Sequence, residues 1–319
     1  MLSTMISFLP ERIVAAGQRW VGIFKAAGKN WLDSQAFIYA AALAFFTVFS
    51  IAPVVILIVA LVGLVLGEAA ARAELMGQLE AVLGAQAIAV VETAITNSRI
   101  EDSGLWPTLA GIGATVVGAT TVFAQMQKSL NQIWGVAPRP SRNSIWLFVK
   151  ARLLSLTIVL AIGFVLLVSL LLSVVVRAVM AHAEQWLPIP GWAMVCVEIL
   201  LSLTVVTLLF AAIFRILPDV LLRWSEVLAG AFITALLFTV GRSLIAWYLA
   251  NTAAGSAYGA AGSLVLLLLW VNYSSLILLF GASICRAHLQ AKGRRIRPRN
   301  TAVRVHRELL EDEAQQDAV

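Results

Sequence analysis

Residues able to do acid–base or ion chemistry are few in this chain, and they stand out against long apolar runs. Glu198 falls shortly after the start of a run that opens at Trp192, and Arg242 shortly before the end of one that closes at Leu249. An ionisable side chain inside a bilayer is costly and demands a partner or a wet cavity. With 1.5 Å of rise per residue, both sit about 9–10 Å below the outer helix ends. Equal depth predicts a Glu198–Arg242 pair. It could line a polar cavity opening outward; a structural pair, or side chains snorkelling to the interface, account for the same residues. Gln125 continues a helical face formed by Ala110, Ala114, Gly118 and Thr121 towards Lys128. That face reads as a path from the inner surface, or as close helix packing. Asn272 and Tyr273 lie with Trp270, Ser274 and Ser275 near the middle of the last apolar run, where polar groups need partners in the bundle.

Catalytic constellations are missing from this inventory. His182, His288 and His306 are dispersed, without carboxylates at ligand spacing, so no metal site is predicted. Cys196 and Cys285 make no CxxC and read as small buried hydrophobes. The glycine-dense stretch from Gly255 to Ser263 lacks the Lys-Ser/Thr ending of a phosphate-cradling loop. No catalytic residue, cofactor or nucleotide site is expected, and the chain is read as a non-enzyme.

The elements that must position these residues follow from composition. Of 319 residues, 61% are hydrophobic and 13% charged, about half the charged share of a soluble domain. Mean hydropathy is +0.91. The expected class is all-α: a polytopic membrane protein with about six transmembrane helices and amphipathic interfacial helices. The runs are Ile38–Leu66, Trp106–Ala124 (continuing as helix towards Trp134), Ile145–Val176, Trp192–Phe214, Val227–Leu249 and Ala261–Ile284. With the N-terminus inside, 19 of the 23 Lys and Arg residues fall on inside segments. This predicts cytoplasmic N- and C-termini. It also explains the net charge of +6 without nucleic acid as a partner.

The organisation expected is a cytoplasmic amphipathic segment over 1–37, a six-helix domain over 38–287 and a basic-then-acidic soluble tail over 288–319. Residues 5–29 carry Arg12, Arg19, Lys25 and Lys29 without an apolar core and read as a helix on the inner membrane surface. The outer loop 67–105 shows helical spacing in Leu75, Leu79, Val82 and Leu83 and predicts short amphipathic helices. Asp33 and Ser34 are suitable N-caps for the first span. Pro53 should kink that span, with Ser50 near the freed backbone groups; the two form a candidate hinge or a static bend.

Several segments then align with a known pattern. They are Ala40 to Phe46 with Ser50 and Pro53; Asn131-Gln132-Ile133-Trp134-Gly135-Val136; Phe214-Arg215-Ile216-Leu217-Pro218; and Tyr258-Gly259-Ala260-Ala261-Gly262-Ser263 running to Trp270 and Phe280-Gly281-Ala282. Together they resemble the YihY/BrkB family of bacterial inner-membrane proteins. The resemblance implies a six-helix protein of the bacterial inner membrane with both termini inside. Family members often carry an acidic residue after the final Gly-Ala; Ser283 stands there, so a carboxylate role does not carry over. Relatives have been labelled ribonuclease BN, a label the absent metal-ligand cluster argues against.

The leading functional expectation is a transporter or flippase for a lipid or other envelope amphiphile, with anionic headgroups favoured at the basic inner face. A non-transporting scaffold of envelope machinery and a small-solute channel are the alternatives. Small-residue helix faces leave room for a homo-oligomer.

Overall fold

A computed structural model describes residues 11–67, 105–139, 191–251 and 262–305, with a few positions between 69 and 77. Its helices are α1 (Glu11–Asp33), α2 (Ala36–Leu66), α3 (Leu105–Trp134), α4 (Gly191–Ile216), α5 (Trp224–Asn251) and α6 (Gly262–Ala291). Two three-residue strands, β1 (Val136–Pro138) and β2 (Ala302–Arg304), complete the described elements. The all-α class expected from the apolar runs is what forms. Five of the six apolar runs form the helices α2 to α6, each within a few residues of its expected ends until α6, which runs on to Ala291. The run 145–176, the Gly255–Ala261 stretch and most of the outer loop 67–105 lie outside the described residues.

By length and apolarity, Ala36–Ile56, Trp224–Leu244 and Leu264–Ala291 can cross a membrane, and Ser202–Ile216 is a shorter apolar helix. Helix α6 is the axis of the bundle: α1, α2, α3 and α5 all pack on it, while α2 pairs with α3 and α4 with α5. The core gathers Trp134, Leu130, Phe214, Val227 and Leu279. Outward faces remain apolar, with Phe45, Phe49, Leu208, Leu244 and Leu269 exposed. Water would penalise such a surface, whereas lipid does not.

Close approach of these helices depends on small residues. A Cβ on Gly281 of α6 would collide with Thr234 Oγ1 of α5 and come within 2.9 Å of Phe214 on α4. A Cβ on Gly118 of α3 would stand 2.8 Å from the ring of Pro53. Pro53 does lie inside α2, and its ring seats on that glycine, with Ser50 buried nearby.

The start of α2 corrects the cap expected there. Asp33 closes α1, and the residue before α2 is Gln35, left-handed at φ 57° and ψ 41°, with no side-chain cap hydrogen bond. A cap at Asp33 or Ser34 requires an extended residue leading into the helix. Instead the Ser34 N–H still bonds Asn30 O at 3.0 Å, so the chain passes between helices through one left-handed residue.

Candidate functional site

Two regions bring polar side chains together: the end of the bundle where α1, α3, α4, α5 and α6 meet the chain after α6, and a cleft at mid-bundle. The first carries most of the described Lys and Arg and is called the basic end below.

Its centre is Asp219, in the turn between α4 and α5. Asn131 Nδ2 donates to Asp219 Oδ2 at 2.7 Å, and the Asp219 N–H donates to Asn131 Oδ1 at 2.8 Å. Gln127 Nε2 lies 3.2 Å from both carboxylate oxygens. A buried carboxylate is thus held by amides of α3, which ties α3 to the α4–α5 turn. Glu226 opens α5. Its Oε2 accepts from the Arg223 N–H at 2.8 Å, the carboxylate half of a capping box, and its Oε1 pairs with Arg294.

The chain after α6 closes this end. β2 pairs antiparallel with β1, Val136 opposite Arg304 and Pro138 opposite Ala302. Val220 bridges Pro298, the Leu221 N–H donates to Arg297 O at 2.9 Å, and the Arg299 N–H to Asp219 O at 2.9 Å. Residues 294–305, placed in the tail on sequence, are therefore packed structure, with Ile296 and Ala302 buried. The helix ends are satisfied as well. Arg299 Nη2 donates to Ile216 O at 3.0 Å at the end of α4. Arg286 Nη1 donates to Ile133 O at the end of α3, where Gly135 turns the chain at φ 65°. Asn30 Nδ2 reaches Ser283 Oγ at 3.2 Å. A neutral hydroxyl thus fills the position where a family carboxylate would stand, and it joins α1 to α6. Helix α1 packs Ile23 and Ala27 against Ile284 and Ala287, and Trp20 stacks on His288 with centroids 5.5 Å apart.

The second region is a cleft of about 240 Å³ lined by Phe210 of α4, Phe238 of α5, and Trp270, Ser274, Ser275 and Leu278 of α6. Phe210 meets Phe238 edge-on at 5.7 Å, and Phe238 meets Trp270 at the same centroid distance. The lining is almost wholly apolar. Of the wall residues, Ser274 Oγ is buried with no hydrogen-bond partner among the described residues; the same holds for Asn272 Oδ1, outside the wall, and for Trp134 Nε1 and His288 Nδ1 at the basic end.

The residues singled out on sequence are distributed between these regions. Asn131, Arg215 and Pro218 are at the basic end, with Trp134 buried beside them. Arg215 Nε donates to Leu222 O at 3.3 Å, and its guanidinium lies 4.4 Å over the Trp224 ring. Trp270 lines the cleft; Asn272 and Tyr273 are half-buried on the same helix, and Gly281 is the close contact of α6. Gln125 is half-buried on α3, and Arg242 is exposed on α5. The Glu198 side chain, Tyr258 and Gly259 lie outside the described residues, and Gly262 begins α6. Sequence reasoning missed Asp219, Gln127, Phe210 and Phe238. Glu226 had a signal, since Arg223 and Glu226 have capping-box spacing before an apolar run; the cleft-lining phenylalanines had none beyond hydrophobicity. Among the described residues no three His, Cys, Asp or Glu side chains converge as a metal site would require.

Comparison with known proteins agrees with this architecture. The profile of the virulence factor BrkB family matches residues 27–305, a stretch that reaches from inside α1 through β2. The putative ribonuclease-like protein YfkH of Bacillus subtilis is 26% identical over 217 residues, covering 66% of this chain and 76% of its own. The UPF0761 membrane protein MS0032 of Mannheimia succiniciproducens is 27% identical over 54% of this chain and 58% of its own. The UPF0761 membrane protein XAC0937 of Xanthomonas axonopodis is 27% identical over 83% of this chain and 61% of its own. The chain thus spans little more than half the length of several curated relatives. No solved structure matches it. With apolar helices around α6 and a family match over most of its length, the chain is an integral membrane protein of the BrkB family.

Proposed function

We propose that this protein is a transporter or flippase of the bacterial inner membrane that moves a lipid or other envelope amphiphile. The observation that carries the reading is the cleft between α4, α5 and α6. Its aromatic and aliphatic walls suit an acyl chain, and the hydroxyls of Ser274 and Ser275 suit a passing polar group. An ion would find no charged lining there. The basic end fits the cytoplasmic side, because Lys and Arg concentrate on that face. Arg139 is at the basic end and Gly191 begins α4 at the opposite one, a bracketing that suits a crossing between them and so the six-span reading. Glu198 and Arg242 belong to this reading as pathway residues near the outer side.

Liposomes containing the purified protein and a headgroup-labelled lipid provide the test. Exposure of the label to a membrane-impermeant quencher beyond the outer-leaflet fraction, with a trapped dye retained, is the expected result. Quenching limited to the outer leaflet across several headgroups would reject translocation of lipids. Glu198→Gln and Arg242→Gln are expected to slow the movement without loss of folding, and normal rates in both would remove the pair from the mechanism.

A non-transporting scaffold is the second reading. The packing of residues 294–305 into a defined surface at the basic end favours it, because a mere topological tail needs no fold. Removal of that surface with full cellular function retained would reject it.

A further inference from the structure

Arginine is in excess around the α4–α5 turn, and what surrounds it is apolar. The two buried carboxylates there are engaged internally: Asp219 by Asn131 and Gln127, Glu226 by Arg294 and the Arg223 N–H. Among the described residues no carboxylate forms an ion pair with Arg215, Arg297 or Arg299. Arg215 and Arg299 are also fixed in place. Arg299 is held on the last carbonyls of α4, those of Arg215 and Ile216. Arg215 is held by Leu222 O and by its stack on Trp224. Donation from a single nitrogen to these carbonyls leaves each guanidinium with further N–H groups in a planar fork suited to phosphate.

Beside these two guanidiniums the surface is apolar and open. Leu221 is 61% exposed and Trp224 43%, with Ile216 exposed as well. From Trp224 the exposed residues Leu228, Phe232, Leu236, Val240 and Leu244 follow at four-residue spacing along α5. That track runs about 30 Å at 1.5 Å per residue, the thickness of the hydrocarbon layer. A tryptophan at one end of such a track is the usual residue at the level of lipid headgroups.

We infer that Arg215 and Arg299, with Trp224, form a headgroup site for an anionic phospholipid of the leaflet at the basic end, its acyl chains lying along the nearer half of the exposed track of α5, from Leu228 to Leu236. The phosphate meets the two forks, and the Trp224 ring marks the boundary between headgroup and chain. Charge decides the class. A zwitterionic lipid brings a cation into a cluster that already holds Arg215, Arg223, Arg297 and Arg299, whereas an anionic one does not. The inference uses the membrane orientation proposed above but not translocation, because a lipid can be retained by a protein that moves none.

The test uses full-length protein, stripped of lipid in mild detergent and titrated with brominated phosphatidylglycerol or brominated phosphatidylcholine while tryptophan fluorescence is read. The site predicts tighter quenching by phosphatidylglycerol, and a loss of about five-fold in apparent affinity for each of Arg215→Gln and Arg299→Gln. Arg295→Gln, an exposed neighbour outside the two forks, serves as the control and should leave affinity unchanged. Arg215→Lys should fall between native and Arg215→Gln, since it keeps the charge and loses the fork. Trp224→Phe should remove the part of the quenching that saturates at low lipid, a readout that remains if the arginine variants fail to fold. Equal affinities for the two lipids in the native protein would overturn the site. So would unchanged affinity in a folded Arg215→Gln, Arg299→Gln double variant, or unchanged low-lipid quenching in Trp224→Phe.

Discussion

The basic end and the mid-bundle cleft use polar residues in opposite ways. At the basic end each buried carboxylate has named donors. Asp219 is held at 2.7–3.2 Å by Asn131 and Gln127, and helix ends are closed by Arg286 and Arg299. In the cleft Ser274 Oγ has no described hydrogen-bond partner, and the walls leave about 240 Å³ unfilled. A satisfied buried network specifies one arrangement, whereas an unsatisfied group in a space of that size leaves an interaction open. Orphaned atoms alone do not separate the regions, since Trp134 Nε1 and His288 Nδ1 at the basic end also lack a described hydrogen-bond partner; the carboxylate network of the one and the open space of the other do.

Removing Asn131 tests the first half of that contrast with the largest effect. Asn131→Leu deletes one bond to the buried Asp219 carboxylate and one from the Asp219 N–H and should lower stability by about 2–4 kcal/mol, seen as a large drop in thermal unfolding temperature in detergent. A loss under about 1 kcal/mol would mean that the network does not hold α3 to the α4–α5 turn. Gly281→Val comes next. Its side chain must displace Thr234 and Phe214, so a cost of about 1–3 kcal/mol is expected from overpacking, measured the same way. Glu226→Gln should cost less than about 1 kcal/mol, because its partner Arg294 is half-exposed and solvent screens the pair. Ser274→Ala should show no loss of stability, or a small gain, since it removes a buried polar atom without a described hydrogen-bond partner. A loss as large as that of Asn131→Leu would show that the two regions do not differ.

The helices were legible in the sequence because an apolar run of about 20 residues is too long for a strand; among the described residues three of them are long and apolar enough to cross a membrane. α2, α4 and α5 start and end within a few residues of the expected positions. α6 runs further, to Ala291, because its last turns are covered by α1 and bonded through Ser283 and Arg286. The motif positions Asn131, Arg215 and Pro218 were visible as a pattern, but their purpose was not. It depends on Asp219, whose partners lie 88 and 92 residues away in the chain. The fold of residues 294–305 was hidden for a similar reason: β2 is only three residues long, and its partner β1 lies more than 160 residues earlier in the chain, after Gly135. The α2 cap was misplaced because a left-handed Gln35 has no sequence signature, unlike the glycine at position 135. The cleft was half legible. Trp270, Ser274 and Ser275 were gathered by helical proximity, but the facing Phe210 and Phe238 belong to other helices and needed the packing to be found.

The most direct measurement of the central claim is lipid movement in liposomes by the native protein and by Ser274→Phe, which places a ring in the cleft and leaves the basic end untouched. The account predicts quenching beyond the outer-leaflet fraction for the native protein and a fall to the protein-free level for Ser274→Phe, with equal thermal stability and equal insertion. Native-like movement in that variant, correctly folded and inserted, would contradict the assignment of the cleft as the route.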